Sequence, residues 1–131
     1  MRPVRCPCLH CFPGLARTTV YGLASVDERG RVVDGTVLRA LGWTDRTPLA
    51  AGLDAGRIVI QPSRPVGSTL ARCGRVLLPV GVRRACRIET GGRLLLAAEP
   101  ADGVLTVYPL AVLDVLLHRA SVAATELGGA A

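Results

Sequence analysis

Residues 27 to 39 read DERGRVVDGTVLR, and residues 71 to 84 read ARCGRVLLPVGVRR. Both stretches contain Gly-Arg-Val, then five unlike residues, then an apolar residue followed by Arg. The two arginines lie eight positions apart in each stretch, and the glycines of the two stretches lie 44 positions apart. Self-similarity at a fixed period indicates a repeated structural unit, so the extent of this repeat decides the fold of the chain.

The repeat extends well beyond these two stretches. With Gly30 placed over Gly74 and three residues inserted in the second copy, apolar and turn positions coincide across units of about 40 residues. The aligned pairs are Trp43 with Ile88, Leu49 with Leu94, Gly56 with Gly103, Ile58 with Leu105 and Pro62 with Pro109. The sequence thus predicts one repeat over residues 21–63 and a second over residues 66–109.

Each repeat is predicted to form a strand, a turn, a second strand, a short helix and a hairpin. Gly30 and Gly74 are expected at the first turns, because glycine tolerates a positive φ. Pro79 suits the first position of the second short helix, and Gly42 suits the end of the first. The hairpin turns are predicted at Asp54-Ala55-Gly56 and at Ala101-Asp102-Gly103.

Neither repeat can bury its own sheet, because a few short strands and a short helix leave one face uncovered. Two repeats packed together would cover both faces, so the sequence predicts a mainly β chain in which the repeats form an internal pseudo-dimer. Residues 110–127 are predicted to form a helix whose leucines lie on one broad face, with His118 near its end. This helix would either cap the core or join two chains.

Composition favours an acidic partner such as nucleic acid. The chain has 131 residues, a formal net charge of +6 and a pI near 9.7, and all 16 of its basic residues are arginine. Genomic base composition explains the use of arginine instead of lysine equally well. Charge is also uneven, since residues 65–93 contain six arginines and one acid, whereas residues 25–46 contain four of each.

The segments VDERGRVVDGTVLRALGWTDRTPL (26–49) and CGRVLLPVGVRRACRIETGGRLLL (73–96) resemble the AbrB/MazE/SpoVT swapped-hairpin family of bacterial DNA-binding domains. The resemblance covers about residues 23 to 109. It implies an interlaced, barrel-like core formed by exchanged hairpins, here supplied by the two halves of one chain. It also implies a sequence-specific transcriptional regulator that binds double-stranded DNA in the cytoplasm and associates with the nucleoid.

The resemblance assigns DNA contacts to arginines near the Gly-Arg turn and on the short helix. By position these are Arg31, Arg39, Arg75, Arg83 and Arg84, and Arg72 belongs to the same basic stretch. The first copy departs from the family pattern at Asp34-Gly35 and Ala40, and the second has Ala71 in place of the usual Asp. Whether Asp27–Arg31 and Asp34–Arg39 form purely structural ion pairs is left open by the sequence.

Other functional sites are not predicted. Residues 1–20 are expected to be a disordered tail, and four residues there could ligate zinc: Cys6, Cys8, His10 and Cys11. Their spacing would strain a tetrahedral site, so no metal is expected. Cys73 and Cys86 are interpreted as small buried apolar residues. No nucleophile and base, paired carboxylates or phosphate loop occurs at a catalytic spacing, so the sequence predicts neither an enzyme nor a cofactor.

Two alternatives remain. One is an antitoxin-like regulator that binds both DNA and a protein partner, and the other is a protein-interaction module that has lost DNA binding. A homodimer is compatible with these two alternatives and with the DNA-binding regulator. No export signal or membrane segment is expected, because the N-terminus lacks an apolar core and the most apolar run, residues 104–117, is too short to cross a bilayer.

Overall fold

The structure, a computed structural model, describes residues 18–44, 46–63, 69–72 and 75–128. The first half contains β1 (Val20–Ser25), β2 (Arg31–Val33), α1 (Gly35–Leu41), β3 (Pro48–Asp54) and β4 (Arg57–Pro62). The second contains β5 (Thr69–Arg72), β6 (Arg75–Leu77), α2 (Val80–Ala85), β7 (Arg93–Glu99), β8 (Val104–Pro109) and α3 (Leu110–Gly128). The predicted order of strand, strand, short helix and hairpin is therefore confirmed in both halves.

The two short helices begin differently. The side chain of Asp34 accepts a hydrogen bond of 3.1 Å from the Val37 N–H, which caps the N-terminus of α1. Gly42 ends α1 in the left-handed region at φ 72°. Pro79 has φ −59° and ψ 147° and precedes α2 as its N-cap. The prediction that Pro79 is the first helical residue was wrong by one position, because its extended ψ keeps it outside the helix.

The predicted hairpin turns are confirmed. Ala55 and Gly56 have successive positive φ angles of 54° and 82°, as in the two-residue turns that suit the twist of a β-hairpin. The Asp54–Arg57 pair closes this turn between β3 and β4. The turn between β7 and β8 is longer and ends at Gly103, which has φ 67°.

The strands form one antiparallel arrangement in the order β1-β7-β8-β4-β3-β5-β6-β2. Four of its pairings join the two halves of the chain: β1 with β7, β3 with β5, β2 with β6 and β4 with β8. By order along the chain, the counterparts are β1 and β5, β2 and β6, β3 and β7, and β4 and β8. When each strand is replaced by its counterpart, the β1–β7 pairing becomes β5–β3, and the β2–β6 and β4–β8 pairings stay the same. The hairpins β3–β4 and β7–β8 also exchange.

The edge strands of the sheet barely meet. β1 and β2 are joined by a single bridge, between Val26 and Val32, whereas their counterparts β5 and β6 form a short ladder. The mainly β class, the short helices and the C-terminal helix are confirmed, but a closed barrel is not seen. The contact between these edge strands is limited to this bridge, next to the turn that begins at Asp27. Strand β1 also begins at Val20, inside the segment expected to be a disordered tail, because Val20 pairs with Ala98.

The hydrophobic core draws on both halves at aligned positions. The buried aligned pairs are Val32 with Val76, Leu49 with Leu94, Ile58 with Leu105 and Ile60 with Val107. Trp43 and Ile88, predicted to be equivalent core residues, are both partly buried and pack against this cluster. The core is therefore built almost entirely from aliphatic side chains.

Helix α3 follows β8 without an intervening loop. Its first turn packs against the sheet, where Val112 approaches the turn at Gly56, but residues 114–126 are all exposed. His118 lies in the middle of this helix, so the prediction that it sits near the helix end was wrong, since α3 runs to Gly128. Of the helices in the described part of the chain, none has both the length and the apolar content required to cross a bilayer.

Truncation tests the interdependence of the halves. A chain that ends at Ser63 retains the β3–β4 hairpin but loses the partner strands of β1, β2 and β4. We expect it to be unfolded, or to fold only as a homodimer that replaces the missing strands, as judged by circular dichroism and sedimentation. A folded monomer of this length would contradict the account.

Candidate nucleic-acid interface

The β2–β6 ribbon presents arginines from both halves on one face. Val32 pairs with Val76, and both side chains point into the core. Because side chains alternate along a strand, the residues on either side of these valines point outward. They are Arg31, Val33, Arg75 and Leu77, all at least partly exposed. Arg31 and Arg75 thus occupy equivalent places around the central valine pair.

The turn before β2 is organised by Asp27. Its Oδ1 accepts hydrogen bonds from the backbone N–H groups of Arg29 (2.9 Å) and Arg31 (2.8 Å). Its Oδ2 lies 2.7 Å from Nε of Arg31, so the Asp27–Arg31 ion pair, which the sequence left open, is present. The Arg31 backbone N–H, above all, lowers the pKa of Asp27, with the Arg31 guanidinium adding to it and desolvation opposing it. One carboxylate therefore shapes the turn and neutralises Arg31.

Arg83, which the sequence places on the exposed side of α2, is instead half-buried. Its Nε donates a 3.0 Å hydrogen bond to the carbonyl of Leu78, and the Leu78 N–H donates to the carbonyl of Gly30 at 2.9 Å. The guanidinium also lies over Gly30, where an added Cβ would come within 2.5 Å of it. This contact holds α2, in the second half, against the turn at residues 27–30 of the first half.

An Asp34–Arg39 ion pair, which the sequence left open, is not formed. Asp34 caps α1, since the backbone N–H of Val37 is within its reach one turn away. Arg39 is exposed in the last turn of α1, and its guanidinium lies beside Gly35 on the same helix. Within the ranges that the structure describes, Arg39 has no ion pair.

Arg75 and Arg84 are as available for contacts as Arg39. Both are exposed, and neither forms an ion pair with a described residue. Arg72 pairs with Arg75 across the β5–β6 turn through its backbone. Gly74, the predicted second turn glycine, lies outside the described residues. The structure therefore brings the ribbon, the first turn and α2 together, while Arg39 stands on α1.

A polar cluster at the β3–β4 turn was not predicted from the sequence. Nη2 of Arg57 lies 2.5 Å from the Asp54 carboxylate, and its guanidinium is 5.9 Å from the ring centre of Tyr108. The Tyr108 side chain and then Asp54 raise the pKa of Arg57. The three-residue spacing across a turn was the available signal for the ion pair, whereas the contact with Tyr108 depends on the pairing of β4 with β8.

The cysteines offer no metal site in the described part of the chain, where no group of three potential ligands occurs. Cys86 is partly buried against the core, and its Sγ lies 3.7 Å from the Gly56 carbonyl. Burial raises the pKa of the Cys86 thiol, so it stays protonated more readily than a free cysteine. Cys6, Cys8, His10, Cys11 and Cys73 lie outside the described residues.

No protein-family model, curated protein or solved structure matches this chain.

Gly30→Ala tests the lock between α2 and the first turn. Gly30 has φ 79°, and the Cβ of an alanine there would displace the Arg83 guanidinium. Gly42 has φ 72°, and an added Cβ there would meet open space. Both alanine variants suffer the strain of a positive φ, about 1–2 kcal/mol. We expect Gly30→Ala to lose about 1–2 kcal/mol more in the free energy of unfolding, because the Arg83 hydrogen bond is lost too.

An Arg83→Ala background provides the control for this experiment. With the guanidinium gone, Gly30→Ala should cost no more than Gly42→Ala in denaturant unfolding. If the extra cost persists, the contact with Arg83 is not its cause.

Acidification tests the role of Asp27. Because its pKa in the folded protein lies below the ordinary 3.8, its contribution to stability is fully present above that value. The contribution is lost as the pH falls through the lower, folded-state pKa. We expect a carboxyl NMR titration of Asp27 with a midpoint below 3.8, and a weaker acid dependence of unfolding in Asp27→Asn. A midpoint at or above 3.8 would contradict the hydrogen bonds at this turn.

Proposed function

We propose that the chain is a sequence-specific regulator that binds double-stranded DNA through the outer face of the β2–β6 ribbon, together with the turn at residues 27–30 and α2. The observation that supports this is the equivalent placement of Arg31 and Arg75 on one exposed face, around the buried pair Val32 and Val76. Arg84 adds a further exposed guanidinium from α2. Arginines from both halves thereby serve one surface.

The proposal includes a tandem swapped-hairpin architecture. The four pairings between the halves are reciprocal, as expected if two equivalent units exchange strands. In this arrangement one chain supplies both halves of the DNA-binding surface that a homodimer would otherwise provide. The bridge between Val26 and Val32 supports a barrel-like path from β2 back to β1.

A two-stranded ribbon suits duplex DNA in shape and charge. The major groove admits such a ribbon, and guanidinium groups can form paired hydrogen bonds to guanine edges or contact phosphates. Contacts to phosphate release condensed counterions, so affinity from this source falls with salt. The net charge of +6 favours the encounter with DNA.

The two halves are expected to contribute unequally. Arg31 must give up its 2.7 Å contact with Asp27 before it can bind a phosphate. Arg83 already donates its Nε to Leu78, so substituting it would disturb the fold as well as the surface. Arg75 and Arg84 carry neither constraint in the described part of the chain, whereas of the first-half arginines predicted to contact DNA only Arg39 is exposed without an ion pair. The second half should therefore supply most of the affinity.

A protein-interaction module that no longer binds DNA is the second candidate. It is favoured by the neutral charge of residues 25–46 and by the exposed apolar side chains of α3. This candidate requires that DNA affinity be absent or insensitive to the ribbon arginines. DNA binding by matched variants separates the two functions.

We expect Arg75→Ala/Arg84→Ala to reduce DNA affinity more than Arg31→Ala/Arg39→Ala, although each pair removes two positive charges. If both second-half arginines meet phosphates, the slope of log affinity against log salt should flatten by roughly two units. Fluorescence anisotropy on selected duplexes over a range of salt would measure this. Melting temperatures should stay within a few degrees of wild type, since exposed charges contribute little to stability.

Equal losses from the two pairs would contradict the unequal contribution and leave DNA binding intact. Absence of DNA binding by the wild-type chain at low salt would remove the proposed function and favour the interaction module.

A further inference from the structure

The outer face of the β2–β6 ribbon carries two apolar side chains beside its arginines. Val33 is 50% exposed and Leu77 is 38% exposed, and neither belongs to the cluster that forms the core. Each follows a buried valine on its strand, so the alternation of side chains directs both outward. The ribbon therefore presents apolar surface as well as positive charge.

The two apolar residues occupy equivalent positions in the two repeats. Each directly follows a Gly-Arg-Val sequence, at residues 30–32 in the first repeat and 74–76 in the second. A single exposed apolar residue on a surface strand requires no functional explanation. Two of them at the same position of both repeats, on the face that carries Arg31 and Arg75, indicate a shared role for that position.

The four outward side chains form a two-by-two arrangement. Arg31 lies directly opposite Leu77, and Arg75 lies directly opposite Val33. Opposite residues on antiparallel strands have Cβ atoms about 5 Å apart, and residues two positions apart on one strand are separated by about 6.6 Å. Exchanging the two strands exchanges the two arginine–apolar pairs, so a local two-fold axis passes through the central valine pair.

This arrangement suits the base edges in the major groove of DNA. Successive base pairs rise by about 3.4 Å, so an arginine and the apolar residue two positions further along its strand span about two base steps. A guanidinium can bind the O6 and N7 acceptors of guanine, whereas the 5-methyl group of thymine is an apolar feature of the same groove. An apolar side chain cannot form a hydrogen bond with a phosphate, but it complements a thymine methyl group near a guanine.

We propose that Val33 and Leu77 contact thymine 5-methyl groups in the major groove, so that the ribbon reads thymine near guanine on both sides of its local two-fold axis. The inference rests on the proposed DNA-binding function and adds the base chemistry that the surface recognises. The site is an imperfect inverted repeat, because it mirrors a two-fold axis whose halves differ. Leucine is longer than valine, and Arg31 alone of the two ribbon arginines is bound to Asp27 among the described residues.

Replacement of thymine by deoxyuridine tests the contact, because it removes the 5-methyl group and keeps the base pairing. The probe is the duplex that the wild-type chain selects from a random-sequence pool, synthesised once with thymine and once with deoxyuridine. We expect the wild type to bind the deoxyuridine duplex about fourfold more weakly for each methyl group contacted, as measured by fluorescence anisotropy. Equal affinity for the two duplexes would overturn the inference and leave the proposed DNA binding intact. Failure to bind either duplex would overturn both.

Variants test whether the ribbon side chains are the source of this preference. In Val33→Ser/Leu77→Ser the preference for thymine over deoxyuridine should disappear, because the apolar contacts are removed. Leu53→Ser is the matched control, since Leu53 is 51% exposed on β3, outside the proposed surface, and it should keep the wild-type preference. Circular dichroism would check that both variants are folded, and the wild-type comparison needs no substitution.

A folded double variant that still prefers thymine would show that the methyl groups act through the shape of the duplex. That result would overturn the contact with Val33 and Leu77. A loss of the preference in Leu53→Ser as well would also count against the ribbon as its source.

Discussion

Reciprocal strand pairing between the two halves is the constraint on which the rest of this structure depends. β1 and β2 have their ladder partners in the second half, and β4 pairs both with its own hairpin partner and with β8. Since each ladder satisfies backbone hydrogen-bonding groups that would be costly to bury unpaired, neither half has a complete sheet without the other. The buried side chains follow the same rule, because the core cluster interleaves residues from both halves.

The geometry of the surface proposed to bind DNA depends on this pairing. The ribbon consists of one strand from each half, and the first turn is fixed by a backbone hydrogen bond from Leu78 to Gly30. Arg83 reinforces that junction and so acts mainly as a positioning residue. The same junction explains why glycine occupies position 30, where both a positive φ and the space taken by the guanidinium exclude a side chain. Fold and surface are therefore set by the same few contacts.

Local pattern was sufficient to predict the elements but not their long-range contacts. Glycine, proline and aspartate at turns and caps predicted the strand boundaries, the short helices and the hairpin at Ala55 and Gly56, because these residues act through their own backbone angles. Arg83 was misplaced because its partners, Leu78 and Gly30, come together only after the halves pair. The sequence left an Asp34–Arg39 ion pair open, whereas the Asp34 side chain accepts a hydrogen bond from the Val37 N–H and caps the helix. The leucines on one face of α3 were predicted from the sequence, whereas the exposure of residues 114–126 was not, because it depends on how far the helix extends beyond β8.

Native-state hydrogen exchange tests the interdependence of the halves most directly. If the sheet exists only when both halves pair, protected amides in β4 and in β8 should open with the same free energy and the same dependence on denaturant, since both require global unfolding. The same value is expected for β7, which pairs with β1. Two separate sets of opening free energies, one for each half, would show that the halves fold independently and would contradict the account.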